Sequence, residues 1–152
     1  MLQAKLITFL MAMVPVVELR GAIPYGVVAG LSVPEAFILA VIGNLVPIPV
    51  LIVFTRKVFE WLRKISPSLD RLVSRLENKA AQKEDIVRKY EFFGLMLLVA
   101  IPLPGTGAWT GALVAAMMDM RLKSAMPAIA VGVIVAGIIV TTLTYGAGAL
   151  FF

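Results

Sequence analysis

Pro102-Leu103-Pro104-Gly105-Thr106-Gly107 interrupts an apolar, uncharged run from Phe92 to Met118, and the reading of that hexapeptide decides the fold. Leu103, placed before a proline, is pushed out of the helical region, and the two glycines favour a turn. The arm before the break, Phe92–Ile101, has ten residues. At about 1.5 Å per residue it reaches roughly 15 Å, half of a hydrocarbon core about 30 Å thick. A single kinked transmembrane helix is the alternative, because membrane helices tolerate Pro and Gly. Two prolines followed by Gly-Thr-Gly exceed what a kink needs, so the pattern predicts an unwound turn between two short arms, a re-entrant hairpin.

Working outward, Met1–Pro34 is broken in a similar way by Glu18, Arg20, Gly21 and Pro24, and its arm Leu6–Val17 has twelve residues. That arm too is about half a bilayer long, roughly 18 Å. Two other stretches carry no charge and are long enough to cross: Ala36–Thr55, with twenty residues, and Ser124–Phe152, with twenty-nine. Each half of the chain is thus expected to hold one hairpin followed by one span. Small residues recur after each break, Gly26 with Gly30 and Gly107 with Gly111. Such spacing lets helix backbones approach closely, and its recurrence marks an internal repeat. An odd number of crossings per half inverts the second repeat relative to the first. The expected fold is an all-α integral membrane protein in one membrane domain. Residues 1–55 form the first repeat, 56–91 a basic amphipathic connector and 92–152 the second repeat.

The composition agrees. Of 152 residues, 61% are hydrophobic and 15% charged, and the mean hydropathy is +0.97. The apolar share lies well above the ~45–50% of ordinary globular domains. Zero Cys and zero His remove thiol nucleophiles, disulfides, imidazole bases and most transition-metal sites. The net charge of +5 is not the footprint of a nucleic-acid binder. Ten of the fourteen Lys and Arg lie between Arg56 and Lys89, between apolar stretches, as the positive-inside bias requires. Arg121 and Lys123 fall on the same side by parity. The connector is therefore expected in the cytoplasm and both termini outside, in a multi-pass protein of the cell membrane with its N-terminal apolar run retained.

Within the connector, Val58, Phe59, Trp61, Leu62 and Ile65 recur at roughly helical spacing before Pro67. Leu69, Leu72, Val73 and Leu76 continue the pattern behind it, with Ser68 as the expected N-cap. These read as interfacial helices, or as a solvated connector that only anchors topology.

Ionisable groups inside membrane segments cost about 2.5–3.5 kcal/mol each on insertion scales, which makes Glu18 and Arg20 the prime functional candidates. Glu18 can carry a coupling proton, and Arg20 can hold a phosphate or carboxylate. The structural alternatives are that the two neutralise each other, or that Arg20 ties down free carbonyls of a break. Gly21 and Pro24 are expected in the first hairpin turn, and Pro102, Pro104, Gly105 and Gly107 in the second. The second break brings no charge. It offers helix N-terminal amides at Thr106–Trp109, with the Thr106 hydroxyl as cap and Thr110 one turn on, an end that attracts anions. Trp109 either stacks on a substrate or fills the core. Asn44, mid-span, lines the site or makes a helix–helix hydrogen bond.

Glu-Leu-Arg-Gly-Ala-Ile-Pro at 18–24, Lys-Tyr-Glu-Phe-Phe-Gly at 89–94 and Ile-Pro-Leu-Pro-Gly-Thr-Gly-Ala-Trp-Thr-Gly at 101–111 together resemble the putative small multi-drug export protein family. The resemblance runs over essentially the whole chain and implies an exporter. That family is in turn similar to the DedA group of membrane proteins, which implies re-entrant hairpins in an inverted repeat and proton-coupled transport or lipid translocation. DedA proteins carry Arg after a Pro-Gly in the second hairpin. Here Thr106 follows Pro104-Gly105, and the intramembrane Arg is in the first hairpin.

The expected function is proton-coupled secondary transport or export of a small or amphiphilic substrate. The site lies at the midplane between the hairpins, with Glu18 for the proton and Arg20, Asn44, Thr106, Trp109 and Thr110 for the substrate. Lipid-phosphate flipping or scrambling, and a non-transporting scaffold or assembly factor, are the rivals. An enzyme is not expected, since only Glu18, Glu35 and Asp119 among the acids lie outside the connector. The expected partners are the lipid bilayer, a small-molecule or lipid substrate and a second copy in a homodimer, with no nucleic acid, cofactor or metal.

Overall fold

The computed structural model describes residues 1–82, 84–103 and 105–146, and of 76, 77, 79–82 and 84–90 it describes the backbone alone. Every regular element among the described residues is a helix: α1 Leu2–Met13, α2 Glu18–Val28, α3 Val33–Leu45, α4 Ile48–Ile65, α5 Pro67–Gln82, α6 Glu84–Ala100, α7 Ala108–Met117 and α8 Leu122–Tyr145. Two stretches are long and apolar enough to cross a membrane, Val33–Ile65 and Leu122–Tyr145. The first is α3 and α4 run nearly end to end, since Val46 and Pro47 keep helical backbone angles. Pro47 and Pro49 supply no amide, which accounts for the interruption.

The charge-based divisions at 55/56 and 91/92 lie within continuous helices, since the connector's first apolar segment is the end of α4 and its last residues belong to α6, while one expected cap differs from the structure. Periodicity alone does not locate a boundary where an apolar helix becomes amphipathic without a breaker. Ser68 does not cap α5, which starts one residue earlier at Pro67; a proline at the first helical position forgoes an amide that would be unsatisfied anyway.

In the N-terminal half α1 and α2 pack on each other and on α3, and in the C-terminal half α6 and α7 pack on each other and on α8. The halves join where α7 lies on α4 and α3 on α8. The interfaces are built from small residues. A Cβ on Gly43 would run into the Phe9 carbonyl of α1. One on Gly132 would sit 2.8 Å from the Met96 carbonyl oxygen of α6. Between them run Ala12, Ala22, Ala40, Ala112, Ala115, Ala128 and Ala136, with Ile23, Ile52, Ile129 and Val133 filling the wider gaps. Ile38, Ile42, Val50, Leu97, Ile134 and Ile138 face outward and stay exposed. A small-residue interior with an apolar exterior is the packing of helices in lipid, where close backbone contact drives association.

The helices that follow the two breaks end alike. Gly30 (φ +95°) closes α2, with Leu31 N–H donating to the Gly26 carbonyl and Gly30 N–H to Val27. Asp119 (φ +53°) closes α7, with Met120 N–H donating to Ala115 and Asp119 N–H to Ala116. Both are left-handed C-caps that satisfy helix-end carbonyls. Gly30 and Asp119 thus hold matching positions at the two helix ends. Gly26 and Gly111 lie inside helices, whereas Gly30 and Gly107 are positive-φ residues at helix ends.

Candidate functional site

The first hairpin turn is the four residues Val14–Val17, after which α2 starts directly at Glu18. Gly21 and Pro24 are therefore not in the turn, and both sit within α2. Gly21 accommodates a neighbour, since a Cβ there would lie 2.7 Å from Val17 Cγ1. Pro24 leaves the Arg20 carbonyl without its usual helical donor. The second turn spans Ile101–Gly107 and contains Pro102, Gly105 and Gly107 as expected; Pro104 lies outside the described residues.

The two turns meet through reciprocal contacts. Glu18 is 5% exposed, and its Oε1 accepts a hydrogen bond from the Trp109 amide at 3.3 Å. Trp109 is the second residue of α7, so the carboxylate of one hairpin caps the returning helix of the other and places negative charge at the positive end of its dipole. Gly107 makes this approach possible. It is the N-cap, with φ +126°, and a Cβ there would overlap the Glu18 carboxylate. Glu18 itself holds φ +46°, a left-handed conformation uncommon for a non-glycine residue.

Arg20, on the next half-turn of α2, reaches the loop before α7. Its Nη1 donates to the Leu103 carbonyl at 2.6 Å, and its Nη2 to the Thr106 carbonyl and hydroxyl, both at 3.0 Å. Arg20 thus ties down carbonyls of the break. It does not pair with Glu18. Ion pairs elsewhere join Lys5 to Glu35 at 3.1 Å and Arg56 to Asp119 at 3.7 Å.

Thr106 does not cap α7. Its hydroxyl lies 2.6 and 2.7 Å from the Ile101 and Leu103 carbonyls and accepts from Leu103 N–H at 3.1 Å, so it closes the loop on itself. A Thr hydroxyl often bonds its own local backbone, and here that competes successfully with the helix amides. Thr110 donates to the Gly105 carbonyl at 2.9 Å. The Trp109 indole Nε1 donates to the Met13 carbonyl at 3.2 Å, satisfying the last turn of α1. Asn44 is buried in α3, 1% exposed, and its Oδ1 finds no partner. No hydrogen bond joins it to the Glu18–Arg20 cluster.

Sequence reasoning missed three participants. The Met13 carbonyl and the Tyr145 hydroxyl, which donates to the Pro24 carbonyl at 3.5 Å, carry no local signal. Gly107 was read only as a turn former. Its signal is position: the residue before a helix that must admit a carboxylate cannot carry a side chain.

Compared with known families, residues 18–139 match the model of the putative small multi-drug export protein family. The chain belongs to that family. The matched region opens at Glu18 and contains the bonds from Trp109 to Glu18 and from Arg20 to Leu103 and Thr106. No curated protein and no solved structure matches the chain. The family is described as an export family, not as an enzyme family. With two helices long and apolar enough to cross a bilayer, the chain reads as a member that works in the membrane.

Proposed function

We propose that the protein is a proton-coupled secondary exporter whose site is the junction of two re-entrant hairpins in an inverted repeat, with residues 56–91 in the cytoplasm. The observation that carries this reading is the capping of α7 by the buried Glu18 carboxylate from the other hairpin. A carboxylate that joins two elements makes their association depend on its proton. When Glu18 takes a proton it loses its charge, and with it the attraction to the α7 dipole and most of the strength of the Trp109 bond. The returning helix is then free to move while Arg20 keeps the 101–106 loop attached, and the junction opens to one side. Loss of the proton on the other side recloses it.

In the lipid-phosphate reading Arg20 would hold the head group, but three of its five N–H donors, drawn from both terminal nitrogens, already bond Leu103 and Thr106. A scaffold has no use for a charged clamp at a hairpin junction. Purified protein in liposomes tests the proposal. An imposed pH gradient should drive flux of a transported amphiphile, and Glu18→Gln should abolish that flux while the melting temperature stays within a few degrees. Unchanged proton-driven flux in Glu18→Gln would remove Glu18 from the mechanism.

The inverted arrangement is tested separately with single cysteines, since the chain has none of its own. Ser32→Cys should label from outside with an impermeant reagent, and Ser66→Cys and Ser124→Cys from inside. Ala149→Cys, beyond the described residues, is expected outside. Labelling of Ser32→Cys and Ser124→Cys from one side would overturn the inverted repeat.

A further inference from the structure

We infer that the corner where α4 meets the turn between α7 and α8 binds the phosphate of an anionic phospholipid, held by Arg56, Arg121 and Lys123. This requires a bilayer around the chain and is independent of export.

From their turns onward the two halves of the chain correspond position for position. The left-handed residues Val16, Glu18 and Gly30 recur as Gly105, Gly107 and Asp119, each 89 positions on. At the same separation α2 and α7 end at Val28 and Met117, and Ser32 and Arg121 stand as N-caps of α3 and α8. Gly43 and Gly132 obey it too, since a Cβ on either would run into a carbonyl of the first helix of its own half. The corner therefore has a counterpart. Arg56 stands where the other half has Tyr145, Asp119 where it has Gly30, Arg121 where it has Ser32 and Lys123 where it has Pro34. The turn takes the same shape there without a charge at any of these positions, so the fold does not need them.

The charges in fact work against the fold. Ser32 caps α3 through its hydroxyl, and Glu35 places negative charge in the first turn. At the start of α8, Arg121 makes no side-chain cap, the first turn holds no acid, and Lys123 is the second helical residue. Cations at that end oppose the helix dipole. Arg56 shows the same deficit at the level of atoms. Its Nε and Nη2 are enclosed and find no hydrogen-bond acceptor, although the side chain is 27% exposed. Asp119 Oδ1 lies 3.7 Å from Nε, too far for a hydrogen bond, on a side chain that is 93% exposed. That carboxylate offsets one positive charge of three. Arg121 and Lys123 are exposed, and neither forms an ion pair with a described residue.

A guanidinium with an open edge, beside two further cations, suits the oxygens of a phosphate. Its level says which phosphate. The 24 residues of α8 reach roughly 36 Å at about 1.5 Å per residue, enough for a hydrocarbon core of about 30 Å, so Lys123 near the start lies among headgroups. Arg56 is the first charge after the uncharged run Ala36–Thr55. Along α8 the exposed Ile134 and Ile138 continue into apolar surface that acyl chains can cover. Orientation of the chain in the membrane would be served by any cation at these positions. It does not call for a guanidinium with sheltered donors.

The test is lipid binding by the full chain in dodecylmaltoside, titrated with phosphatidylglycerol, phosphatidylcholine or inorganic phosphate and read by native mass spectrometry. Phosphatidylglycerol should bind at least about tenfold more tightly than phosphatidylcholine, and Arg56→Lys, which keeps the charge, should remove most of that preference. Arg121→Ser, the residue of the other half, should weaken phosphatidylglycerol about fivefold. Asp119→Gly, again the residue of the other half and at ease in the left-handed region, should strengthen it by a similar factor. Breaking one ion pair from its two ends thus has opposite effects, which a purely structural pair would not show, and the Asp119→Gly arm still decides should Arg56→Lys fail to fold. Equal binding of the two lipids, or effects of Arg56→Lys and Asp119→Gly confined to the melting temperature, would overturn the inference. If inorganic phosphate binds with the same dependence on Arg56 and phosphatidylglycerol does not, the lipid assignment falls. Phosphatidylglycerol selectivity together with unchanged proton-driven flux in Glu18→Gln would sink the exporter reading alone; flux lost in Glu18→Gln without lipid selectivity would sink this inference alone.

Discussion

The two hairpin turns solve the same problem with opposite materials. The first is four residues long and contains no glycine, so its left-handed positions fall on Val16 (φ +76°) and on Glu18 (φ +46°) just after it. The second runs from Ile101 to Gly107 and places its left-handed positions on Gly105 (φ +81°) and Gly107 (φ +126°). The first hairpin gives side chains, a carboxylate and a guanidinium. The second gives backbone, an amide at Trp109 and carbonyls at Leu103 and Thr106. Each thereby supplies what the other lacks, and backbone groups that would otherwise be buried unpaired find their partners across the junction. Strain at a non-glycine residue persists only where the surroundings over-determine it. At Glu18 the α7 amides provide that surplus.

The comparison breaks most readily at Gly107. Alanine there meets both a left-handed backbone and the Glu18 carboxylate, so the cost should be about 3 kcal/mol or more, with loss of proton-driven flux. Gly105→Ala keeps the conformational penalty without the clash, because nothing lies within 4 Å of its added carbon. It should cost about 1–2 kcal/mol. Gly94→Ala, inside α6 and also in open space, should be neutral or stabilising by about 0.5–1 kcal/mol. Gly132 is no control, since its added carbon would meet the Met96 carbonyl. Thermal unfolding of the three variants orders the effects, and equal losses at Gly105 and Gly107 would mean that Glu18 does not dock there.

The next effect sharpens the division between side chains and backbone. Arg20→Lys keeps the charge but replaces a forked donor with a point charge that does not span Leu103 and Thr106 together. The expected cost is about 1.5–3 kcal/mol, the range for hydrogen bonds to a charged group. Thr106→Val removes one of Arg20's three acceptors and the loop's internal bonds. In a double-mutant cycle the pair should couple by about 1 kcal/mol. Strict additivity would show that Arg20 holds the loop through carbonyls alone. Because Thr106 closes its own loop instead of capping α7, its substitution should lower proton-driven flux without changing which substrate charge is preferred.

How far the sequence reveals this site depends on the kind of group involved. Glu18 and Arg20 stand out because charge in an apolar segment is expensive, and Pro102 with the two described glycines marks the second break by removing donors and side chains. What cannot be read is pairing across the chain. Nothing local says that Glu18 faces Trp109, ninety-one positions away, in place of Arg20 two residues on. The first turn was misplaced for a related reason. Gly21 and Pro24 are breakers in water, but in α2 the packing of Gly21 against Val17 overrides propensity, while in Val14–Val17 the one turn signal is Pro15, set among three β-branched residues that favour extended backbone.

The smallest effect concerns that turn. Val16 is 93% exposed, so its side chain has little protein contact to lose, yet its β-branched backbone is held in the left-handed region at a cost of about 1–2 kcal/mol. Val16→Gly removes that penalty and gives back about 0.5–1 kcal/mol through the greater freedom of the unfolded chain. The net expectation is a gain of about 0.5–1 kcal/mol, a rise of a few degrees in melting temperature. Proton-driven flux should be unchanged, because Glu18 is aimed by α7 and not by the turn that precedes it. If instead Val16→Gly lowers flux while raising stability, the stiffness of the first turn is what presents Glu18 to the junction. The two hairpins would then differ in mechanics as well as in materials, a rigid carboxylate arm working against a compliant backbone loop.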